Sequence, residues 1–292
     1  MQDADLPRIG IIGDGVVGGA LRAWFASQQR PAQSYDPPKG LRDRSGIDAA
    51  DFVFVCVPTP YLTGGGFDQR YLLDAMGSIA GGKLVVIKST VLPGTTDELQ
   101  RRYPQHRLIF NPEFLREATA IDDMARPDRQ IAGVTPQSEG DAAALLDLLP
   151  SAPYVRICAA REAEMAKYVA NSFLAIKVSF ANEVFDLCER IGIDYAATQN
   201  IVAADPRIGS SHSDVLADGY RGYGGKCLPK DSKALLDLAA FAGVQMDVLR
   251  AADAVNARVS GVPARADAPR RRRAPRVEST SVEPPTRQRR AA

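Results

Sequence analysis

The chain has 292 residues, of which 45% are hydrophobic and 24% charged, enough for one large or two ordinary domains with buried cores. Its formal net charge of +1 hides an asymmetry, because residues 263–292 hold 9 Arg and 3 acids and leave 27 basic against 32 acidic residues before them, which argues against a nucleic-acid-binding fold and leaves the tail only nonspecific contact with polyanions. Four cysteines without tight spacing, an N-terminus "MQDADLPRIGIIGDG" without a signal-peptide pattern and the lack of a spanning apolar run of roughly 18 residues exclude a disulfide scaffold and a membrane-spanning helix, so a soluble cytoplasmic protein is expected.

In chain order, "RIGIIG" at 8–13 reads as a strand and is followed by the amphipathic "VVGGALRAWFASQ". Further strand-like runs come at "AQSYD" (32–36) and at the apolar "DFVFVCVP" (51–58), "KLVVIKST" (83–90) and "RLIFNP" (107–112). Continuous apolar strands separated by helical stretches predict a doubly wound parallel α/β sheet covered on both faces, in a domain over 1–160. From Arg161 the period changes to that of one long helix ending near "RIGID". Met165, Val169, Phe173, Ile176, Phe180, Val184, Leu187 and Ile191 form one apolar stripe along it, suited to packing against a second subunit. Lys167 and Asn171 lie one turn apart, opposite the start of that stripe. "DSKALLDLAAFAG" and "MDVLRAADAVNARV" predict more helices, which makes 161–260 an all-helical domain built on the long central helix. Residues 261–292, rich in Arg and Pro, are expected to be disordered.

"GDGVVG" at 13–18 fits G-x-G-x-x-G between a strand and a helix, and Asp36 ends the next strand. Gly13, Gly15 and Gly18 would allow a tight turn and close approach of a pyrophosphate to the helix N-terminus. Asp36 would accept hydrogen bonds from a ribose and favour NAD over NADP. Asp14, inside the loop, would repel a pyrophosphate unless it points to solvent. "CVPTP", "KSTVLPGTT" and "NPEFLREATA" fall at strand C-terminal ends, where open α/β sheets bind ligands, although Thr95, Thr96 and Glu113 would equally serve as helix caps. His106 and His212 have no metal-ligand spacing and no Cys/His cluster exists, so no metal is expected. Cys56, Cys158 and Cys188 read as small core hydrophobes. Cys227 is different: it sits in a glycine loop, "GYRGYGGKCLPKD" at 219–231, with Lys230 and Asp231 at hand.

Together "GYGGKCLPKD", "NPEFLREA", "VPTP" and "KYVANSFLAIKVSFANE" resemble the UDP-glucose/GDP-mannose dehydrogenase family, in the family's order from residue 13 to 231. The resemblance implies an NAD-dependent four-electron oxidation of a nucleotide sugar, UDP-glucose foremost, with Cys227 as nucleophile and Lys167 and Asn171 as oxyanion donors. It implies that Glu117, Thr90 and Asp231 serve around the hydrolytic water, and that Thr59, Thr90 and Lys230 join the cofactor site. It implies substrate contacts from Glu113, Phe114, Leu115, Arg116 and Gly224, and from Arg207 reaching across a homodimer formed through 161–192. The periodicity ends near Val259, so the chain reads as a short form without the family's C-terminal nucleotide-binding domain.

The residue types suit that chemistry by themselves. Oxidising an aldehyde by hydride loss needs a tetrahedral carbon, which a thiolate makes by adding to the carbonyl. Neighbouring cations are expected to lower the Cys227 pKa from about 8.5. Two other readings stay open: a non-catalytic NAD-binding dimeric scaffold, and an enzyme that needs a second chain for the nucleotide. A two-electron hydroxyacid dehydrogenase would leave Cys227 without a purpose.

Overall fold

The computed structural model describes residues 6–62, 66–217 and 219–260. The Arg/Pro-rich tail expected to be disordered lies outside them. The first half runs β1 (Ile9–Ile12), α1 (Val16–Ser27), β2 (Gln33–Tyr35), α2 (Ser45–Ala49), β3 (Phe52–Val55), a small hairpin of β4 (Tyr61–Leu62) and β5 (Gly66–Phe67), α3 (Arg70–Ser78) and β6 (Leu84–Ile87). Then follow α4 (Thr95–Arg102), β7 (Arg107–Phe110), α5 (Ala120–Ala125), β8 (Arg129–Val134), α6 (Ala142–Leu148) and β9 (Tyr154–Ala159). The helical remainder is α7 (Ala160–Ile191), α8 (Tyr195–Ala203), α9 (Leu228–Phe241) and α10 (Asp247–Val259).

Seven strands form one sheet in the order β2-β1-β3-β6-β7-β8-β9. All five strands expected from sequence are there and pair in parallel. The doubly wound sheet is mostly parallel; β8 and β9 extend it, and β8 pairs antiparallel to β7 through Ile109↔Val134 and Phe110↔Gly133. Between β7 and β8 the chain makes a loop, a single 3-10 turn over Glu117–Thr119 and the six-residue α5, and it doubles back instead of crossing over.

Alternation within each strand explains why the runs are apolar throughout. Phe52 and Phe54 of β3 face α1 and its neighbours with Leu21 and Phe25, while Val53 and Val55 face Leu72, Met76 and Leu99. A fully buried side chain of this size contributes about 1.5–3 kcal/mol.

The residues group by their own contacts into two compact units. Of the described residues, one unit comprises those up to 176 and 223–254, and holds the sheet and α9; the other comprises those of 177–222 and 255–260. The division falls inside α7, after Ile176, and the cysteine loop from Tyr223 goes with the sheet. Packing accounts for that: Ala234 and Leu235 of α9 share a cluster with Phe67 of the hairpin and Tyr168 of α7. The second unit centres on Ala181, Cys188, Tyr195 and Val215, and its α8 is capped by Asp194, whose side chain accepts from Ala197 N–H.

Most of the apolar stripe of α7 lies on the helix's exposed side, while Ile176 and Val184 are partly buried against neighbouring clusters. Phe173 is 60% and Phe180 66% exposed, with Val169, Leu187 and Ile191 also outside. The buried face is instead lined by Ala163, Glu164, Lys167, Tyr168, Asn171, Ser172 and Ala175. No helix among the described residues is long and apolar enough to cross a membrane.

Candidate active site

The loop after β1 lies at the sheet's switch point, where β2 is added on one side of β1 and β3 on the other. Gly13 has φ +92°, and a Cβ there would come within 2.6 Å of the Cys56 carbonyl oxygen. A Cβ on Gly18 would lie 1.9 Å from the Gly13 oxygen, so the first turn of α1 can close on the loop only as glycine. Gly15 caps α1 with open space around it, and no acidic residue stands in the first turn. The cradle is therefore shaped for a phosphate against the helix N-terminus.

Asp36 accepts from Asp14 N–H at 2.8 Å, which locks the glycine loop onto the end of β2. Asp14 departs from its expected behaviour. Its carboxylate does not point to solvent; it is buried, and Arg22 donates from Nε to Oδ1 at 2.8 Å and from a terminal nitrogen to Oδ2 at 3.2 Å. The guanidinium cancels the charge that would repel a pyrophosphate. Thr59 Oγ1 donates to the Thr90 carbonyl at 2.7 Å and ties the C-terminal ends of β3 and β6 together.

The second group of residues gathers about the start of α9. Cys227 is the N-cap residue, exposed, with Pro229 in the first turn. Asp231, one turn on, is fully buried. Its Oδ2 accepts from Asn171 Nδ2 at 2.6 Å and its Oδ1 from Lys230 Nζ at 2.6 Å. The Lys230 ammonium also lies 4.6 Å from the Phe67 ring centre, a cation–π contact. One turn before Asn171, Lys167 donates to Glu113 Oε1 at 2.8 Å and to the Glu113 carbonyl at 2.7 Å, with both side chains nearly excluded from solvent. Burial pushes the Glu113 carboxyl up, but Lys167, the Leu115 N–H and Lys88 together hold it below the usual carboxylate range.

The Cys227 thiol runs against expectation: it is shifted up, first by desolvation and then by the Glu113 carboxylate, which outweigh the opposing pull of Lys167 and Lys230. Both ammoniums are already matched, by Glu113 and Asp231, so their charge reaches the sulfur reduced. The N-terminus of α9 works in the thiolate's favour. Cys56 is no competitor, because burial pushes its thiol up to about 12.

Of the other predicted residues, Phe114 carries the Arg129 guanidinium over its ring at 3.6 Å and Lys167 Nζ at 5.5 Å. Leu115 N–H donates to Glu113 Oε2 at 2.7 Å and braces that carboxylate. Arg116 is turned to Asp123 in an exposed pair, and Glu117 is exposed opposite Lys226 at 3.4 Å. Gly224 lies half-buried in the cysteine loop, and Arg207, in the second unit, is exposed and folded onto Asp205.

Sequence reasoning missed Glu164 and Lys88. Glu164 accepts from Gly94 N–H at 2.6 Å, Thr96 N–H at 2.8 Å and Thr96 Oγ1 at 2.6 Å, so an acid three residues before Lys167 holds the "PGTT" turn; Thr96 lies inside α4 and does not cap it, the N-cap being Gly94. Nothing distinguishes Glu164 in sequence from a solvated helix acid. Lys88 carried a signal, a lysine closing an apolar strand.

Sheet, glycine cradle and Asp36 together define a dinucleotide-binding α/β protein. Residues 41–148 match the NAD binding domain of the UDP-glucose/GDP-mannose dehydrogenase family and residues 161–258 its central domain. A UDP-glucose 6-dehydrogenase of Pseudomonas aeruginosa is 38% identical over 234 residues, covering 73% of this chain and 50% of the relative. One of Rhizobium meliloti is 38% identical over 213 residues, covering 67% and 47%. The structure of a UDP-glucose dehydrogenase from Pyrobaculum islandicum superposes with a TM-score of 0.75 at 30% identity, over 88% of this chain and 69% of the other. The chain belongs to the UDP-glucose/GDP-mannose dehydrogenase family and carries its NAD binding domain. It spans about half the length of the curated relatives it matches.

Proposed function

We propose that the protein catalyses an NAD-dependent four-electron oxidation of a nucleotide sugar, UDP-glucose to UDP-glucuronate, through covalent intermediates on Cys227. The observation that carries this reading is the convergence of two buried pairs, Lys167–Glu113 and Asn171–Asp231, with the helix that begins at Cys227. A helix face that carries a lysine and an amide toward the interior has a use beyond packing.

Gly13, Gly15, Gly18 and Asp36 would hold the dinucleotide, with Thr59 and Thr90 bracing the adjoining strand ends. When bound, NAD supplies the hydride acceptor, used twice per sugar. The first hydride loss, with the hydroxyl proton released to water, turns the primary alcohol into an aldehyde. Cys227 then adds to the carbonyl as thiolate, forming a C–S bond and an oxyanion that Lys167 Nζ and Asn171 Nδ2 are suited to receive. Loss of one such donor costs on the order of a hundredfold in rate. The second hydride loss leaves a thioester. Water attacks it, its proton passes to a carboxylate, and the C–S bond breaks to give carboxylate and thiol.

For that base we favour Glu113 over Glu117. Glu113 is ionised beside Lys167, whereas the Glu117 side chain is 61% exposed and faces Lys226. Asp231 orients Asn171 and Lys230. The exposed Phe173 and Phe180 support a homodimer through α7, because large apolar patches on a helix face are seldom left in water.

The test follows NADH formation by the purified protein with NAD and excess UDP-glucose, and in parallel with GDP-mannose. Two NADH per sugar are expected. No turnover by protein that binds NAD would move the reading to a scaffold or a two-chain enzyme.

A further inference from the structure

Lys88 follows β6 directly, and only 5% of its surface is exposed. Lysine is almost never buried without a partner of opposite charge. Yet among the described residues no carboxylate forms an ion pair with Lys88; its contacts are with Asn111, to Oδ1 at 2.5 Å and to the carbonyl at 3.3 Å. Asn111 is itself fully buried, and its Nδ2 donates to the Ile131 carbonyl at 2.7 Å and to Gln130 Oε1 at 3.4 Å. One amide thus links Lys88 to β8 and to the turn that carries Glu113 two residues later.

The groups that face Lys88 are Cys56 after β3, Glu113 after β7 and Lys167 on α7. Burial pushes the amine down, Cys56 and Glu113 pull it up, and Lys167 adds to the lowering. Glu113 in turn faces Lys167 and Lys88, and its charge is felt at Cys227.

We propose that Lys88 is a positioning residue, whose ammonium fixes the Asn111–Glu113 turn through Asn111 and supplies, besides Lys167, a second positive charge that keeps Glu113 ionised. This deepens the reading of Glu113 as the hydrolytic base and rests on it for its place in the reaction. The charge effect itself does not depend on turnover.

The test titrates Glu113 by 13C NMR in protein labelled at glutamate Cδ, the resonance being assigned by its loss in Glu113→Gln. Lys88→Met should raise the Glu113 midpoint by about one pH unit or more. Lys88→Gln, which keeps a donor for Asn111 without the charge, serves if the methionine variant does not fold, and the same rise is expected. An unchanged midpoint in either folded variant overturns the proposal, because loss of a merely structural contact would not move it. In turnover assays the acid limb of the kcat profile should move in the same direction. If the wild type forms no NADH, the functional reading fails, and the NMR titration still decides the role of Lys88.

Discussion

Asn171 on α7 donates to Asp231 on α9 at 2.6 Å, and neither side chain has appreciable contact with solvent. Among the described residues Asp231 is the one hydrogen-bond partner of that amide, and it also neutralises Lys230. Asp231→Ala would leave a buried amide and a largely buried ammonium unmatched, a cost of about 2–4 kcal/mol. Urea unfolding should show that loss, and Asp231→Asn should recover part of it. A change below about 0.5 kcal/mol for the alanine variant would mean that the pair contributes nothing to holding α9 on α7.

Cys227 is expected to react as a thiol of high rather than low pKa. Its folded value is shifted up, so the thiolate fraction at neutral pH is small and grows as pH rises through and beyond the ordinary value of about 8.5. Iodoacetamide alkylation, read at the Cys227 peptide by mass spectrometry, should reach half its limiting rate above that value in the free protein. A midpoint below 8 would show that the α9 N-terminus and the two lysines prevail. Cys227→Ser should abolish carboxylate formation while NAD affinity changes less than about twofold, since thiol addition and dinucleotide binding use different atoms.

Glu164 holds three donors from the turn that opens α4. Glu164→Ala would strand two backbone N–H groups and a hydroxyl in the interior, at about 2–4 kcal/mol in total. For a domain of this size that corresponds to a Tm lower by roughly 4–15 °C. Differential scanning calorimetry would measure it, and an unshifted Tm would mean that water replaces the carboxylate at no cost.

Phe173→Asp and Phe180→Asp each place a charge on the exposed stripe of α7, where they disturb no buried contact. If α7 is the dimer interface, sedimentation should show monomers for either variant with the melting of the remaining fold little changed. A dimer of unaltered mass would remove α7 from the interface.

Much of the fold was legible in residue order. Four of the five parallel strands follow from apolar runs such as "FVFV" and "LVVI", because a strand covered on both faces has no polar side to show; β2, "QSY", is short, polar and less buried. Strands β8 and β9 were not legible: "RQIAGV" and "YVRICA" alternate weakly, and β9 is exposed along most of its length. The glycine spacing of 13–18 spoke for itself, since the positive φ at Gly13 and the contact at Gly18 are backbone requirements that only one residue type meets.

What only the tertiary structure decided is which charges meet. Glu113 and Glu117 are equivalent in sequence, one turn apart. Folding puts the first against Lys167 and leaves the second in water opposite Lys226. Asp14 looked like a fault in the phosphate loop until Arg22, eight residues on, closed over it. The α7 pattern predicted a packed apolar face, and within one chain the reverse face is buried, carrying Glu164, Lys167 and Asn171. The physical reason is the same in each case. Periodicity and backbone sterics act over a few residues and are written in local order. The desolvation and Coulomb terms that set a site's charges depend on partners that local order does not relate, 54 positions apart for Lys167 and Glu113 and 68 for Thr96 and Glu164, and exist only once the chain has closed on itself.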